Sequence, residues 1–187
     1  MESIDDVMLD AEDRMEKALE FLHHEFAGVR TGRASPSLVE HIQIPYYGTS
    51  TRLLELAGIS TPEPRLIVIN PYDPTALSAI EKAIMAANIG VTPVSDGRVI
   101  RLSIPELSEE RRKELVKVAR RLAEECRVAI RNIRRDANEH IKTLQKKSVV
   151  SEDERDAALA EVQKSTDDAI ARVDRDLSAK EEEIMAV

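Results

Sequence analysis

All eight prolines of this 187-residue chain lie between Pro36 and Pro105, and the stretches on either side contain none. Proline lacks a backbone N–H and its ring clashes with the preceding helical turn, so it breaks helix interiors. The two flanks are therefore free to form long uninterrupted helices, and the middle is not. The flanks use that freedom. Ile4, Met8, Ala11, Met15, Ala18, Leu22, Phe26 and Val29 recur at three- and four-residue steps, the spacing of one apolar helix face. Beyond Pro105 the same spacing returns in Leu115, Ala119, Leu122, Cys126, Ala129, Ile133, Ala137, Ile141 and Leu144. Ser108 stands where it can cap that helix, and Glu109 and Glu110 complement the positive end of its dipole. The capping box Ser151-Glu152-Asp153-Glu154 opens a third run, carried by Leu159, Val162, Thr166, Ala169, Val173, Leu177 and Ile184.

A helix with one apolar stripe cannot bury it alone. The economical arrangement packs the helices of residues 1–30, 107–146 and 151–184 into one bundle, with residues 31–104 inserted as a small α/β module. The expected class is α+β, with a discontinuous bundle domain of residues 1–30 and 105–187. At 33% charged and 3% aromatic residues, with no Trp, the composition suits long helices better than an aromatic-rich sheet core.

In the middle segment, His41–Ile44 and Thr51–Leu56 read as short strands around a Pro45-Tyr46-Tyr47-Gly48 turn, and Arg65–Asn70 as a stronger strand. A compact helix follows, with Ala76, Ile80, Ala83 and Ile84 as its core contacts. Val91–Val94 and Val99–Ile104 then form two strands joined through Ser95-Asp96-Gly97. The first helix is expected to stop near Arg30–Pro36, where Gly32 can take a left-handed cap conformation. Two nearby connections, Arg30–Pro36 and Ile104–Ser108, tie the insert to the bundle. They permit a pivot with Arg30, Gly32, Pro36 and Pro105 as hinge residues; a rigid two-domain body is the other reading.

Charge is distributed unevenly. The chain carries a net charge of -8, yet residues 105–147 hold 13 basic against 8 acidic side chains, while every other segment is neutral or acidic. At about 100° per residue, Lys113, Lys117, Arg120, Arg127, Arg131, Arg134, Arg135 and Lys142 share roughly 100° of arc, away from the apolar face. An acidic protein with one cationic ridge does not coat nucleic acid loosely; it can dock one oriented face on a polyanion. From charge alone a solvated, salt-bridged helix is the plainer reading, since Glu109, Glu110, Glu114, Glu124 and Glu125 can pair locally with these bases.

Catalytic and cofactor chemistry finds little here. His23 and His24 point to different helix faces, and His41 and His140 lie in other segments. His24-Glu25-Phe26-Ala27-Gly28 begins like a two-histidine metal motif but has Gly28 where the second ligand belongs. The six glycines are scattered singly, with no phosphate-cradling loop, and the lone Cys126 falls on an apolar face as a small core residue. No metal, no cofactor, no nucleotide binding and no enzymatic activity are expected. No run approaches the roughly 20 apolar residues of a membrane span, and the acidic start Met1-Glu2-Ser3-Ile4-Asp5-Asp6 is unlike a signal or transit peptide. A cytosolic monomer is expected.

Several ordered motifs together resemble the bacterial ribosome recycling factor family. They are Arg30-Thr31-Gly32-Arg33-Ala34-Ser35-Pro36-Ser37, Pro45-Tyr46-Tyr47-Gly48-Thr49, Glu81-Lys82-Ala83-Ile84, Leu107 to Leu115 and Arg131-Asn132-Ile133-Arg134-Arg135-Asp136-Ala137. The resemblance implies an L-shaped molecule, a three-helix bundle carrying a mobile insert. It also implies binding to the large ribosomal subunit after termination, and subunit splitting together with elongation factor G, which hydrolyses the GTP. It implies ribosomal RNA contacts at Arg131 and Arg134. Arg127, Arg135, Lys117 and Arg120 join them on helical position. The competing classes are a ribosome-binding hibernation or stress factor, which would hold subunits together, and a coiled-coil scaffold or chaperone, against which the proline-bearing insert counts.

Overall fold

Three long helices carry most of the chain in the computed structural model, which describes residues 3–186; Met1, Glu2 and Val187 of the expected bundle lie outside the described residues. They are α1 (Ile4–Gly28), α4 (Glu109–Lys146) and α5 (Glu152–Met185). Between α1 and α4 lie β1 (Gln43–Tyr46), β2 (Thr49–Arg52), α2 (Leu53–Leu56), β3 (Ala57–Glu63), β4 (Leu66–Pro71), α3 (Leu77–Ala86), β5 (Pro93–Ser95) and β6 (Ile100–Ser103). The chain divides into two compact units, one formed by the residues up to Thr31 with those from Glu109 onward, the other by Gly32–Ser108. The class is α+β.

In the first unit each long helix packs on the other two. Cross-helix bonds fix the directions: Arg14 of α1 reaches Asp136 of α4, Arg120 and Arg127 of α4 reach Glu181 and Asp174 of α5, and Arg172 of α5 reaches Glu16 of α1. Hence α4 runs antiparallel to both neighbours. Capping boxes at Ser3/Asp6 and Ser151/Glu154 satisfy the first backbone N–H groups of α1 and α5. The buried face of α1 is Val7, Ala11, Met15, Leu19, Leu22 and Phe26, so Ile4, Met8 and Ala18 of the expected face give way to Val7 and Leu19. In α4, Ala123 and Ile130 are fully buried and Ala129 is not; in α5, Ala158 is buried where Leu159 was expected, and Leu177 is only half-buried. A helix wedged between two partners buries a wider arc than one seam, and a single run of three- and four-residue steps samples only part of it.

The second unit is closed by a different device. Strands β3, β4, β6 and β5 form an antiparallel sheet in that order, and β1 and β2 form a separate hairpin. Alternation puts Ile67 and Ile69 of β4 and Ile100 and Leu102 of β6 into one core with Ile80 and Ile84 of α3, Ile44 of β1 and Leu53 of α2, all fully buried. Ala76 joins them, while Ala83 is only partly covered. The strand expected over Thr51–Leu56 stops at Arg52, because Leu53 and Leu56 point inward three residues apart and form a helical turn. No element was expected over β3, which carries Gly58 and Pro62; an edge strand tolerates both, and the register shifts between Ser60 and Glu63, around Pro62.

The unit boundary also differs from the expected Pro105. Glu106 pairs with Arg65 at 3.3 Å, and a Cβ on Gly32 would lie 3.2 Å from the Leu107 side chain, so residues 105–108 belong with the insert. Gly32 does take positive φ, +76°, but four residues past the end of α1, whose C-cap is the extended Val29. It is a close-approach glycine against Leu107 and not a helix cap. Of the four residues expected at the hinge, Arg30 lies in the first unit, and Gly32, Pro36 and Pro105 lie in the second.

Candidate nucleic-acid interface

The cationic residues singled out by spacing all lie on α4, a single helix about 57 Å long at 1.5 Å per residue. Their opposite face is anchored by Ala119, Ala123, Cys126, Ile130, Ile133, Ala137 and Ile141, all buried, which fixes the rotation of the helix and hence the direction of the ridge. Cys126 is a core residue; its Sγ lies 3.5 Å from the Ala18 carbonyl oxygen, and burial pushes the thiol pKa up.

The ridge is not uniform. Arg120 donates to Glu181 of α5, and Arg127 lies between two carboxylates. Its Nε and Nη2 donate to Asp174 Oδ1 at 3.0 and 2.6 Å, and its Nη1 donates to Glu124 at 3.0 Å. With its side chain only 18% exposed, Arg127 serves the α4–α5 seam and offers little to a ligand. Arg131, 42% exposed, donates one N–H to Glu124 at 3.0 Å. Arg134 donates to a neutral partner, Gln163 Oε1, at 3.3 Å. Lys117 and Arg135 are exposed, and among the described residues no carboxylate lies within ion-pairing distance of Lys117, Arg134 or Arg135. The six candidates thus share one helix, but three are partly neutralised by the chain's own acids. Of the outlying bases, Lys113 pairs with Glu109 at 2.7 Å.

Glu124 is the residue that sequence reasoning undervalued. It could be seen as a local partner at i,i+3 from Arg127, but its bridge to Arg131, seven residues away, and the contributions of Asp174 and Glu181 from α5 required the bundle. Hydrogen bonds from Arg127, then Arg131, hold the Glu124 carboxyl below its usual pKa, so it stays ionised throughout the physiological range.

The family model for ribosome recycling factor matches residues 22–185. The chain belongs to the ribosome recycling factor family. Among similar curated proteins, the ribosome-recycling factor of Carboxydothermus hydrogenoformans is 57% identical over 184 residues, covering 98% of this chain and 100% of the relative. That of Bacillus subtilis is 50% identical over 182 residues, covering 97% and 98%. A solution structure of a ribosome recycling factor matches over the full length of both chains at 44% identity with a TM-score of 0.81. A second similar structure, 44% identical with a TM-score of 0.66 and covering 98% of this chain, is the Thermus thermophilus factor from models with E. coli elongation factor G bound to the E. coli post-termination complex. Family membership agrees with the motifs that carried the resemblance. No helix among the described residues is long and apolar enough to cross a membrane, and no group of three or more His, Cys, Asp or Glu side chains is placed to hold a metal ion.

Proposed function

We propose that this chain is a ribosome recycling factor of the bacterial cytoplasm that docks its α4 ridge on ribosomal RNA of the large subunit and, with elongation factor G and GTP, separates the subunits of the post-termination ribosome. The observation that carries the docking surface is a run of cations on one helix face in a protein of net charge -8. The similar factor described together with elongation factor G on a post-termination complex supports the choice of partners.

Arg134 and Arg131 are the leading contacts. Three residues apart, they sit on one side of α4, where two guanidinium groups can reach neighbouring phosphates and each can bond bidentately, as Lys cannot. Arg135 and Lys117 extend the positive face, while Arg120 and Arg127 act chiefly by shaping it. Contacts of this kind position a protein on folded RNA by backbone and shape, with little reading of sequence. The chain's own role is mechanical, and the free energy comes from nucleotide hydrolysed by the partner. The insert moves about the Arg30–Pro36 and Ile104–Ser108 connections. Gly32 packs against Leu107 within the insert, and Thr31 is bonded to Glu183 of α5 at 3.2 Å, so the crossings between the units fall at Thr31–Gly32 and Ser108–Glu109.

Sucrose-gradient profiles of post-termination ribosomes test this reading directly. Subunits should accumulate only when this protein, elongation factor G and GTP are all present. Whole ribosomes that persist, or become more resistant to low magnesium on adding the protein, would make it a hibernation factor instead.

A further inference from the structure

We infer that Glu124 is a specificity-determining residue of the ridge: a resident carboxylate, anchored on Arg127, that occupies the phosphate position at Arg131 until folded RNA displaces it. The inference rests on the ridge being the docking surface, and it assigns a role to an acidic residue at its centre.

The geometry is that of a bridging anion. Glu124 Oε2 accepts from Arg127 Nη1 and Oε1 accepts from Arg131 Nη1, each at 3.0 Å, so its two oxygens are divided between two arginines as two phosphate oxygens would be. The two arginines are held unequally. Arg127 is fixed from its other side by Asp174 through two further N–H groups and is largely covered. Among the described residues Arg131 is held by Glu124 alone, through one of its five donors, and it remains 42% exposed. Arg131 is therefore the movable member and Glu124 its latch.

This latch raises the threshold for binding. An exposed ion pair is weak, so a partner that presents several phosphates at fixed positions can engage Lys117, Arg134 and Arg135 first and then exchange Glu124 for a phosphate at Arg131. A flexible single strand must order each phosphate as it binds and gains less from the exchange. A glutamate is already ionised near neutral pH, and its two arginines hold the carboxyl lower still, so a competing anion and not protonation opens the latch. The acidic side chain thus suppresses adventitious RNA binding at little cost to the specific complex.

The test is Glu124→Gln, which keeps shape and removes the charge. Its control is Glu125→Gln, which makes the same change in net charge on the same helix but releases Arg121, paired with Glu125 at 2.8 Å toward the flank of the ridge. Binding is measured to poly(U) and to purified large subunits over a range of salt, with circular dichroism verifying the fold. Glu124→Gln should bind poly(U) about 3- to 10-fold more tightly and steepen its log–log salt slope by about 0.7 to 1.4, the release expected from one or two more phosphate contacts to a single strand. Large-subunit affinity should change less, so discrimination falls; Glu125→Gln should follow the parent. Poly(U) affinity and slope equal to those of Glu125→Gln would overturn the inference. If Arg134→Glu still abolishes subunit binding in that case, the docking surface stands and only the latch falls. If neither Glu124→Gln nor Arg134→Glu changes any binding, both readings fall.

Discussion

Both units of this chain are closed by apolar side chains, but they differ in what flanks the core. The insert is closed by aliphatic side chains: Ile44, Leu53, Ile67, Ile69, Ile80, Ile84, Ile100 and Leu102 are all fully buried within 77 residues. The bundle spreads a thinner core, rich in Ala119, Ala123, Ala137, Ala158 and Ala169, along three helices and flanks it with cross-helix ion pairs from Arg14, Arg120, Arg127 and Arg172. Such exposed pairs contribute little stability individually. What they do is place charge, because each fixes a long flexible side chain on a rigid helix. The surfaces differ in charge: the bundle presents a row of cations on α4, while large apolar side chains are exposed on both units, at Tyr47, Tyr72, Leu54, Met85 and Val94 of the insert and at Leu9, Phe21, Val128, Val149 and Met185 of the bundle. A charged partner suits the cationic row.

The largest expected effect separates the two cores. All three tyrosines, Tyr46, Tyr47 and Tyr72, lie in the insert and there is no Trp, so tyrosine fluorescence reports the insert while the helical circular dichroism signal is dominated by the bundle. Ile69→Ala should lower insert stability by about 2–5 kcal/mol and shift the tyrosine-detected transition in denaturant, leaving the helical transition in place. Ile130→Ala should do the reverse. If both probes move together in both variants, the units unfold as one and the contrast drawn here is lost.

Smaller effects sharpen the contrast. Ser151→Ala removes the capping box that opens α5 and should cost about 1 kcal/mol, seen in the helical transition alone; an unchanged midpoint would show that the cap contributes nothing. Smallest is the insert's polar tie, the bond from the Tyr46 hydroxyl to Asp73 at 2.6 Å. That bond pushes the Tyr46 pKa up to about 12. A raised pKa favours the neutral phenol in the folded state, so the contribution is complete below the ordinary tyrosine pKa near 10 and is lost as pH rises through about 12. Absorbance titration should show a phenol step near pH 12 that vanishes in Tyr46→Phe and moves down in Asp73→Asn; a wild-type titration completed by pH 11 would contradict the bond.

How much of this was legible in the sequence depends on the period of the signal. Long proline-free runs at 3.6-residue spacing fixed the three helices and the side of α4 that bears charge, because many residues vote for one rotation. The spacing points to Ala129, yet Ile130 beside it is the buried residue, since a helix with two neighbours buries a wider arc than one seam. Short strands leave fewer votes: Leu53 and Leu56 looked like a strand continuing from Thr51, and β3 was hidden by Gly58 and Pro62. The site was legible as a ridge, but its internal differences were not. Asp174 and Glu181 neutralise Arg127 and Arg120 from across the bundle, and nothing in the local spacing of α4 could place them.

The central claim is that the open part of the ridge docks on large-subunit RNA, and Arg134 is its most direct test because among the described residues no carboxylate pairs with it. Arg134→Glu removes charge-assisted hydrogen bonds of about 1.5–3 kcal/mol, so large-subunit affinity should fall roughly 10- to 100-fold at 1.4 kcal/mol per decade. The salt dependence should flatten with it, while folding stability changes by less than about 1 kcal/mol. Arg155→Glu, which loses its neighbour Asp156 on α5 and a 3.5 Å bond to Gln145 of α4, away from the ridge candidates, should bind as the parent does. A folded Arg134→Glu protein that binds large subunits with wild-type affinity and salt slope would contradict the account.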